Sequence, residues 1–222
     1  MLIQLLTGQP APNSPGTTPT ARGGQLGDVI ASELHGRFYE QAYRGNLFST
    51  GASTAALSAN TITLVAATTP IVGVWNPSTS TVNLVILQAM LQSAIQAASS
   101  TAQGSWVWAV SSGNAAISTG LTPWNRKTLL QSGSQAKGFA NGTALTGLTN
   151  NLVIMEGADF NAGLSITTAS VPATAAVPVM AAVQNFDGSL IIPPGGVLAL
   201  LNTVSTTNIS VATRLLWEEV PI

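Results

Sequence analysis

The segment Leu190-Ile-Ile-Pro-Pro-Gly-Gly-Val-Leu-Ala-Leu-Leu201 sets two apolar runs on either side of a four-residue turn. The flanking runs, Leu190–Ile192 and Val197–Leu201, have the length and composition of short β-strands, whereas Pro-Pro-Gly-Gly interrupts regular structure. The segment therefore predicts two strands joined by a turn at Pro193–Gly196.

The same pattern continues through most of the chain from Gly51 onward, where short β-type runs alternate with turn residues. Asn141-Gly142 and Asp187-Gly188 are turn dipeptides that accept the positive φ of tight hairpins. Short strands separated by turns in this way are typical of an antiparallel sandwich or barrel rather than of βαβ units. We predict strands at Thr61–Ala66, Ile71–Trp75, Val82–Leu87, Ser105–Val110, Leu152–Met155, Ala176–Val183, Leu190–Ile192, Val197–Leu201 and Ile209–Glu219.

The stretch Thr81–Ser100 carries two competing patterns. Its front, Val82–Leu87, is rich in β-branched residues, but Gln88, Gln92 and Gln96 then fall four apart, which is helical spacing. We predict a strand that turns helical after Gln88.

Length and charge restrict the class of protein. A chain of 222 residues fits one all-β domain, and a hydrophobic content of 45% argues against disorder. Charged residues make up only 7%, against about 25% in ordinary soluble domains. A net charge of −1 excludes an electrostatic nucleic-acid surface and a polybasic membrane patch. We therefore expect neither nucleic acid nor membrane as a partner.

The N-terminal quarter differs from this neutral body. Residues 8–25 hold four prolines among Gly, Ser and Thr, which is typical of an extended tether. Residues 28–44 are charged and predict a helix that Asp28 caps and Gly45 ends. We predict an extended arm over 1–27, a charged helix and connector over 28–50, and a β-sandwich over 51–222.

The residues offer little catalytic chemistry. The chain has no cysteine, and its one histidine, His35, lies in the charged helix without a nucleophile motif. Glu156 and Asp159 flank Gly157 in a predicted loop, where they could bind a cation or act as a glycosidase pair, but two acids in one loop usually form a solvated turn. We predict no enzyme activity, no catalytic residue, no cofactor and no metal site.

Two of the five tryptophans, Trp106 and Trp108, share one face of a predicted strand. A core or subunit interface is the favoured interpretation of this pair. The alternative is a carbohydrate platform, to which Trp124 could also belong.

A protein with so little charge suits a surface covered by copies of itself or by a larger assembly. Aromatic and arginine side chains, which are enriched in interfaces, are concentrated near the predicted helix. We predict as partner-binding Arg37, Phe38, Tyr39, Tyr43, Arg44 and Phe48. The alternative is that this helix packs across one end of its own sandwich.

The segment Gly36-Arg-Phe-Tyr-Glu-Gln-Ala-Tyr-Arg-Gly-Asn-Leu-Phe48 resembles the start of a group of tailed-phage virion proteins. Three later segments agree with that pattern: Trp75-Asn-Pro77, Ile191-Ile-Pro-Pro-Gly-Gly-Val-Leu198 and Leu216-Trp-Glu-Glu-Val-Pro221. The Pro-Pro-Gly-Gly turn also resembles the jelly-roll modules of capsid decoration (cement) proteins. The resemblance implies a jelly-roll β-sandwich, a homotrimer on a capsid lattice, and no catalytic residues.

The expected function is therefore that of a structural virion protein that decorates and cements a tailed-phage capsid through contacts of its trimer and of its N-terminal arm. Its expected partners are the major capsid protein and two further copies of itself, and its expected location is the virion. The alternative is a tail or head-fibre adhesion module that binds host glycans through Trp106, Trp108 or Trp124.

Overall fold

The computed structural model describes residues 5–6, 21–22, 37–54, 67–68, 70–95, 106–117, 120–140, 145–157, 180–202 and 209–222. The chain divides into two compact units, Met1–Glu40 and Gln41–Ile222. In the first unit Leu5–Leu6 (β1) pairs in parallel with Ala21–Arg22 (β2). Residues 28–36 of the predicted helix, and the rest of the predicted arm, lie outside the described residues.

The other described elements are one short helix and twelve strands. They are α1 (Tyr39–Arg44), β3 (Leu47–Thr54), β4 (Ala67–Thr68), β5 (Val72–Trp75), β6 (Val82–Ile95), β7 (Trp106–Ser111), β8 (Trp124–Asn125), β9 (Lys137–Ala140), β10 (Leu145–Thr146), β11 (Val153–Gly157), β12 (Met180–Ile192), β13 (Val197–Asn202) and β14 (Ile209–Pro221).

Ten of these strands form two antiparallel sheets of five. The first sheet has the order β12-β6-β14-β3-β8, and the second has the order β11-β7-β13-β5-β9. Buried side chains from both sheets meet in one hydrophobic cluster, so the sheets pack face to face. The predicted all-β antiparallel sandwich is confirmed.

The strand pairs are nested along the chain. β3 pairs with β14, β5 with β13, β6 with β12, and β7 with β11. Each pair lies inside the preceding one in sequence, and successive pairs alternate between the first and the second sheet. The chain therefore follows the path of one long antiparallel ribbon that crosses from sheet to sheet.

Two inner strands of the second sheet, β13 and β5, are buried on both faces. All six residues of β13 and all four of β5 are buried, which is why both strands are nearly continuous apolar runs. One face packs against the first sheet. The other face packs against a second cluster that includes Ile117, Phe139, Leu145 and Leu152.

The predicted helix after Gln88 is wrong as far as Ile95, because β6 continues as a strand to that residue. β6 has a bulge against β14 at Leu87, where Gln88 pairs with Leu216 and Ile86 with Trp217. A bulge shifts which residues face inward, and beyond it Ala89 and Leu91 are buried. Residues 96–98 lie outside the described residues.

The predicted Asp187-Gly188 hairpin is also wrong. Asp187 and Gly188 do adopt positive φ, of 55° and 83°, but they lie inside the single strand β12. Asn185 pairs with Gln88 and Leu190 with Ile86, so four residues of β12 stand opposite Leu87 alone. Asp187 and Gly188 therefore belong to an irregular stretch within one strand and do not form a turn between two strands.

The sandwich begins earlier than predicted, since β3 starts at Leu47, inside the stretch 28–50 assigned to helix and connector. The predicted strand Thr61–Ala66 and the turn Asn141-Gly142 lie outside the described residues. The turn at Pro193–Gly196 is present: Gly196 donates its amide to the Pro193 carbonyl oxygen at 2.9 Å, and Gly195 has a φ of 80°.

Candidate functional site

Three of the predicted partner-binding residues belong to the first compact unit. Arg37 and Tyr39 are exposed and Phe38 is half-buried. The Arg37 guanidinium lies 5.4 Å from the centroid of the Phe38 ring, within the range of a cation–π interaction. The unit thus presents an arginine and aromatic rings to solvent.

Tyr43 and Arg44 lie in the last turn of α1, in the second unit. The Tyr43 ring is 62% exposed, and the Lys127 ammonium lies 5.1 Å from its centroid. Gly45 ends the helix with a φ of 82°, and its carbonyl oxygen accepts a hydrogen bond of 2.8 Å from Asn125 Nδ2. The end of α1 is therefore fastened to the segment that begins at β8.

Phe48 does not face a partner, because its side chain is only 3% exposed and belongs to the core between the sheets. It lies in β3, opposite Trp217 of β14 and Asn125 of β8. An inward position on a strand explains its burial, so the assignment of Phe48 to the binding surface is wrong.

The turn that follows β8 is built around Asn125. Asn125 Oδ1 accepts the amides of Lys127 and Thr128 at 2.9 and 3.2 Å, as an Asx turn requires. Its backbone oxygen accepts the Leu129 amide, and its own amide donates to the Leu130 carbonyl, each at 2.9 Å. Leu129 adopts a φ of 59° to close the turn.

This turn exposes Lys127, Leu129 and Leu130, which the sequence did not single out, and Trp124, which it offered only for the glycan alternative. Trp124 is 47% exposed, and Leu129 and Leu130 are exposed more fully. We call the set of exposed side chains fixed around this turn the Asn125 patch: Tyr43, Trp124, Lys127, Leu129 and Leu130. The sequence signal that could have found it is Asn125 placed before Arg126-Lys127, a polar turn between Trp124 and Leu129-Leu130.

Positively charged side chains predominate in the turn next to this patch. Arg126 and Lys127 are exposed in the turn, and Arg44 lies one residue from Tyr43. Burial raises the pKa of Glu218, and the positive charge of Arg44 partly offsets that rise. Burial and the charge of Arg126 lower the pKa of Arg214. The turn therefore adds cationic charge to an otherwise weakly charged molecule.

The neighbouring glutamate, Glu219, makes hydrogen bonds within the protein. It is buried, and its carboxylate accepts hydrogen bonds from Ser134 Oγ at 2.5 Å and from the Gln135 amide at 3.2 Å. Adjacent residues of a strand face opposite sides, so the side chains of Glu218 and Glu219 point in different directions. Glu219 thus holds the segment after the turn in place.

Comparison with protein-family models, with curated proteins and with solved structures returns no match for this chain. Within the described residues, no helix has the length and apolarity needed to cross a membrane.

The described residues supply no second catalytic side chain beside Glu156. Glu156 lies on β11 and not in a loop, and it accepts a hydrogen bond of 3.4 Å from Gln184 Nε2. Asp159 and His35 lie outside the described residues. Across the ranges that the structure describes, no three His, Cys, Asp or Glu side chains come together as a metal site would require.

The tryptophan pair is part of the core. Trp106 and Trp108 are both buried, as the favoured core interpretation predicts, so neither is accessible for the glycan alternative. Trp108 Nε1 donates to Gln184 Oε1 at 2.7 Å, across the two sheets, and its ring lies edge-on to Phe186. What remains accessible on the described surface near α1 is a rigid set of aromatic, aliphatic and cationic side chains suited to a protein–protein contact.

Proposed function

We propose that this protein decorates and stabilises the capsid of a tailed bacteriophage, with the Asn125 patch as its contact to the shell. The observation that carries the proposal is this patch. Exposed Trp124 and Tyr43 are of the types that dominate protein interfaces, and the Asn125 hydrogen bonds fix the turn between them. A rigid binding loop loses little conformational entropy on association.

We further propose that the sandwich is a jelly roll. Its support is the nested pairing of β3 with β14, β5 with β13, β6 with β12, and β7 with β11. Eight strands paired in this way and distributed alternately over two sheets make up two interlocked Greek keys, which is the jelly-roll topology. A jelly roll alone does not define function, so the proposed function rests on the Asn125 patch and not on the fold.

The proposed partner is the major capsid protein of the same virion, and the proposed assembly is a homotrimer. Arg44, next to Tyr43, is a further proposed contact residue of the second unit, and the exposed Arg37 and Tyr39 are proposed contact residues of the first unit. Three linked copies make the second and third contacts effectively intramolecular, so a weak contact per subunit is sufficient for stable binding.

The test is sedimentation of the full-length protein, first alone and then mixed with undecorated capsids of a tailed phage. Saturable co-sedimentation at a fixed ratio to the capsid protein is the expected result. A well-folded protein that stays in the supernatant at every ratio would overturn the proposal.

A second candidate function is adhesion to host glycans, and the exposed Trp124 indole favours it. Aromatic side chains stack on sugar rings, and Arg126 and Lys127 follow directly in the turn. The candidate predicts binding on a glycan array that Trp124→Ala abolishes. Array binding without capsid binding would replace the first proposal by this one.

A further inference from the structure

Arg214 lies on the outer face of the first sheet. Successive residues of a strand point to opposite faces of its sheet. Leu215 of β14 belongs to the core, so its two neighbours, Arg214 and Leu216, face outward. Arg214 is half-buried, and it pairs with Gly51 of β3, which has no side chain to cover the guanidinium.

Trp124 and Arg126 lie on the same outer face. Leu216 pairs with Ser49 of β3, and Ser49 pairs with Trp124 of β8, so the Trp124 side chain also faces outward. The Arg126 amide donates to the Leu47 carbonyl oxygen at 2.9 Å, which extends the pairing of β8 by one residue. Arg126 follows Trp124 by two positions and therefore shares its face.

The two arginines on this face act on each other without a carboxylate between them. Burial and, after it, the positive charge of Arg126 lower the pKa of Arg214. Neither guanidinium forms an ion pair with an acid of the described residues. Glu218, which also faces outward from β14, lies beside Arg44 instead. Two neighbouring like charges repel, and an anion bound between them turns that repulsion into attraction.

The Arg214 guanidinium is oriented but largely unused. Gln88 Nε2 donates to Asn185 Oδ1 at 2.9 Å, and the Gln88 side-chain oxygen accepts a hydrogen bond from Arg214 Nη2. Arg214 Nε is buried and has no hydrogen-bond partner among the described residues. A guanidinium carries several N–H donors in a fixed plane. The Gln88 bond therefore holds this plane in place and leaves most of its donors for another acceptor.

Cationic charge is concentrated on this side of the sandwich. The chain has only seven Lys and Arg residues and a net charge of −1. Four of the seven lie in or beside the Asn125 patch: Arg44, Arg126, Lys127 and Arg214. Such a concentration attracts an acidic partner and repels a basic one.

We propose that Arg126 and Arg214 bind carboxylates of an acidic polypeptide segment of the partner, which lies across the outer face of the first sheet beside Trp124. Planar guanidinium groups bind carboxylates through paired hydrogen bonds. Exposed Leu129 and Leu130 in the same turn favour a polypeptide over a hydrophilic sugar, since exposed apolar side chains mark protein contacts. The inference rests on the proposed function and deepens it, because it specifies the chemistry of the shell segment that the Asn125 patch contacts.

The fluorescence of Trp124 tests this site in the full-length protein. Trp124 is 47% exposed and the other four tryptophans are buried, so a ligand on this face affects Trp124 first. The probe is a peptide of alternating glutamate and glycine, and the same peptide with glutamine in place of glutamate is its control. At low ionic strength we expect a saturable change with the glutamate peptide and none with the glutamine peptide.

Substitutions assign the binding to the two arginines. Arg126→Gln and Arg214→Gln are each expected to weaken binding of the glutamate peptide at least about tenfold. Lys137→Gln in β9 removes the same charge outside the patch and is expected to bind as wild type does. Because Arg126 is exposed, its substitution keeps the test valid even where Arg214→Gln impairs folding.

Two results would overturn the site: a wild type that does not respond to the glutamate peptide, or an Arg126→Gln variant that binds it as tightly as wild type. A response to oligoglucuronate without one to the peptide would replace the polypeptide by an acidic glycan and so overturn the proposal as well. Any of these leaves the capsid proposal standing if the protein still co-sediments with capsids. A protein that binds the peptide and ignores capsids would instead overturn the capsid proposal and support this site.

Discussion

The side-chain amide of Asn76 donates to the carbonyl oxygen of Ile192 at 3.0 Å and so joins positions 116 residues apart. The same NH2 group donates to the Val82 carbonyl oxygen at 2.8 Å. The backbone of Asn76 bonds the Pro193–Gly196 turn as well, through Gly196 and Gly195 at 2.9 and 2.7 Å. One buried asparagine therefore fastens the start of β6, the end of β12 and the turn into β13.

Asn76→Ala is expected to lower the free energy of unfolding by about 2–3 kcal/mol, because it removes the Asn76 donor from the Ile192 carbonyl oxygen and leaves the Val82 carbonyl oxygen with only the longer hydrogen bond from Ser80 Oγ, at 3.3 Å. Urea denaturation measures the change. Asn151→Ala, at an exposed asparagine, is the control and is expected to stay within about 0.5 kcal/mol of wild type. Equal effects of the two substitutions would contradict this role of Asn76.

Gly138→Ala tests the close approach of β9 to β3. A Cβ at Gly138 would lie 2.7 Å from Thr50 Cβ and in collision with Thr50 Oγ1. Overpacking of this kind costs about 1–3 kcal/mol. In a double-mutant cycle, Thr50→Gly is expected to recover part of that loss. Additive effects of Gly138→Ala and Thr50→Gly would show that the two positions do not press on each other.

Lys127→Glu tests the proposed shell contact. The substitution removes the cation above the Tyr43 ring and cancels the positive charge of the turn, because the new carboxylate stands beside the remaining Arg126. We expect at least a tenfold weaker association with undecorated capsids, about 1.4 kcal/mol, measured by saturation co-sedimentation. Lys137→Glu in β9 makes the same change of net charge outside the patch and is expected to bind as wild type does. A loss of binding in both variants would mean that net charge, and not the patch, governs association.

Glu218→Gln tests the electrostatics beside Arg44. Burial raises the pKa of Glu218 above its ordinary value of 4.5, so the folded protein binds this proton more tightly than the unfolded chain does. The resulting stabilisation is present below pH 4.5 and is lost as pH rises through the raised pKa. We expect Glu218→Gln to lack this decline and to be at least as stable as wild type at pH 7. Urea midpoints from pH 4 to 7 measure the difference, and a decline of equal size in both proteins would contradict it.

The fold class could be predicted from the sequence because buried strands consist mostly of apolar residues. The apolar runs Val197–Leu201 and Ile71–Trp75 coincide with strands buried on both faces. The spacing of Gln88 and Gln92 led to the wrong prediction of a helix, because a spacing of four fits the two-residue period of a strand as well as the helical period. Both glutamines lie off the buried side of β6 once the bulge at Leu87 is taken into account.

The candidate site was less accessible to sequence reasoning. Tyr43 was selected, but the contact with Lys127 and the bond between Gly45 and Asn125, 80 residues apart, arise only from the tertiary fold. Phe48 was misassigned because an aromatic residue near exposed ones in sequence is not near them in space once a strand begins at Leu47. Composition indicated which residue types are enriched in interfaces, and the fold determined which of them are exposed.

β14 lies in the middle of the first sheet, between β6 and β3, and it follows every other described strand in the chain. On the ribosome, β3 and β6 therefore emerge long before the strand that joins them, and each exposes an unpaired edge until Ile209–Pro221 has been synthesised. Such long-range pairing makes folding slow, since distant segments must meet before any stabilising contact forms. The sandwich is thus expected to form only once β14 has been synthesised, in a single late step.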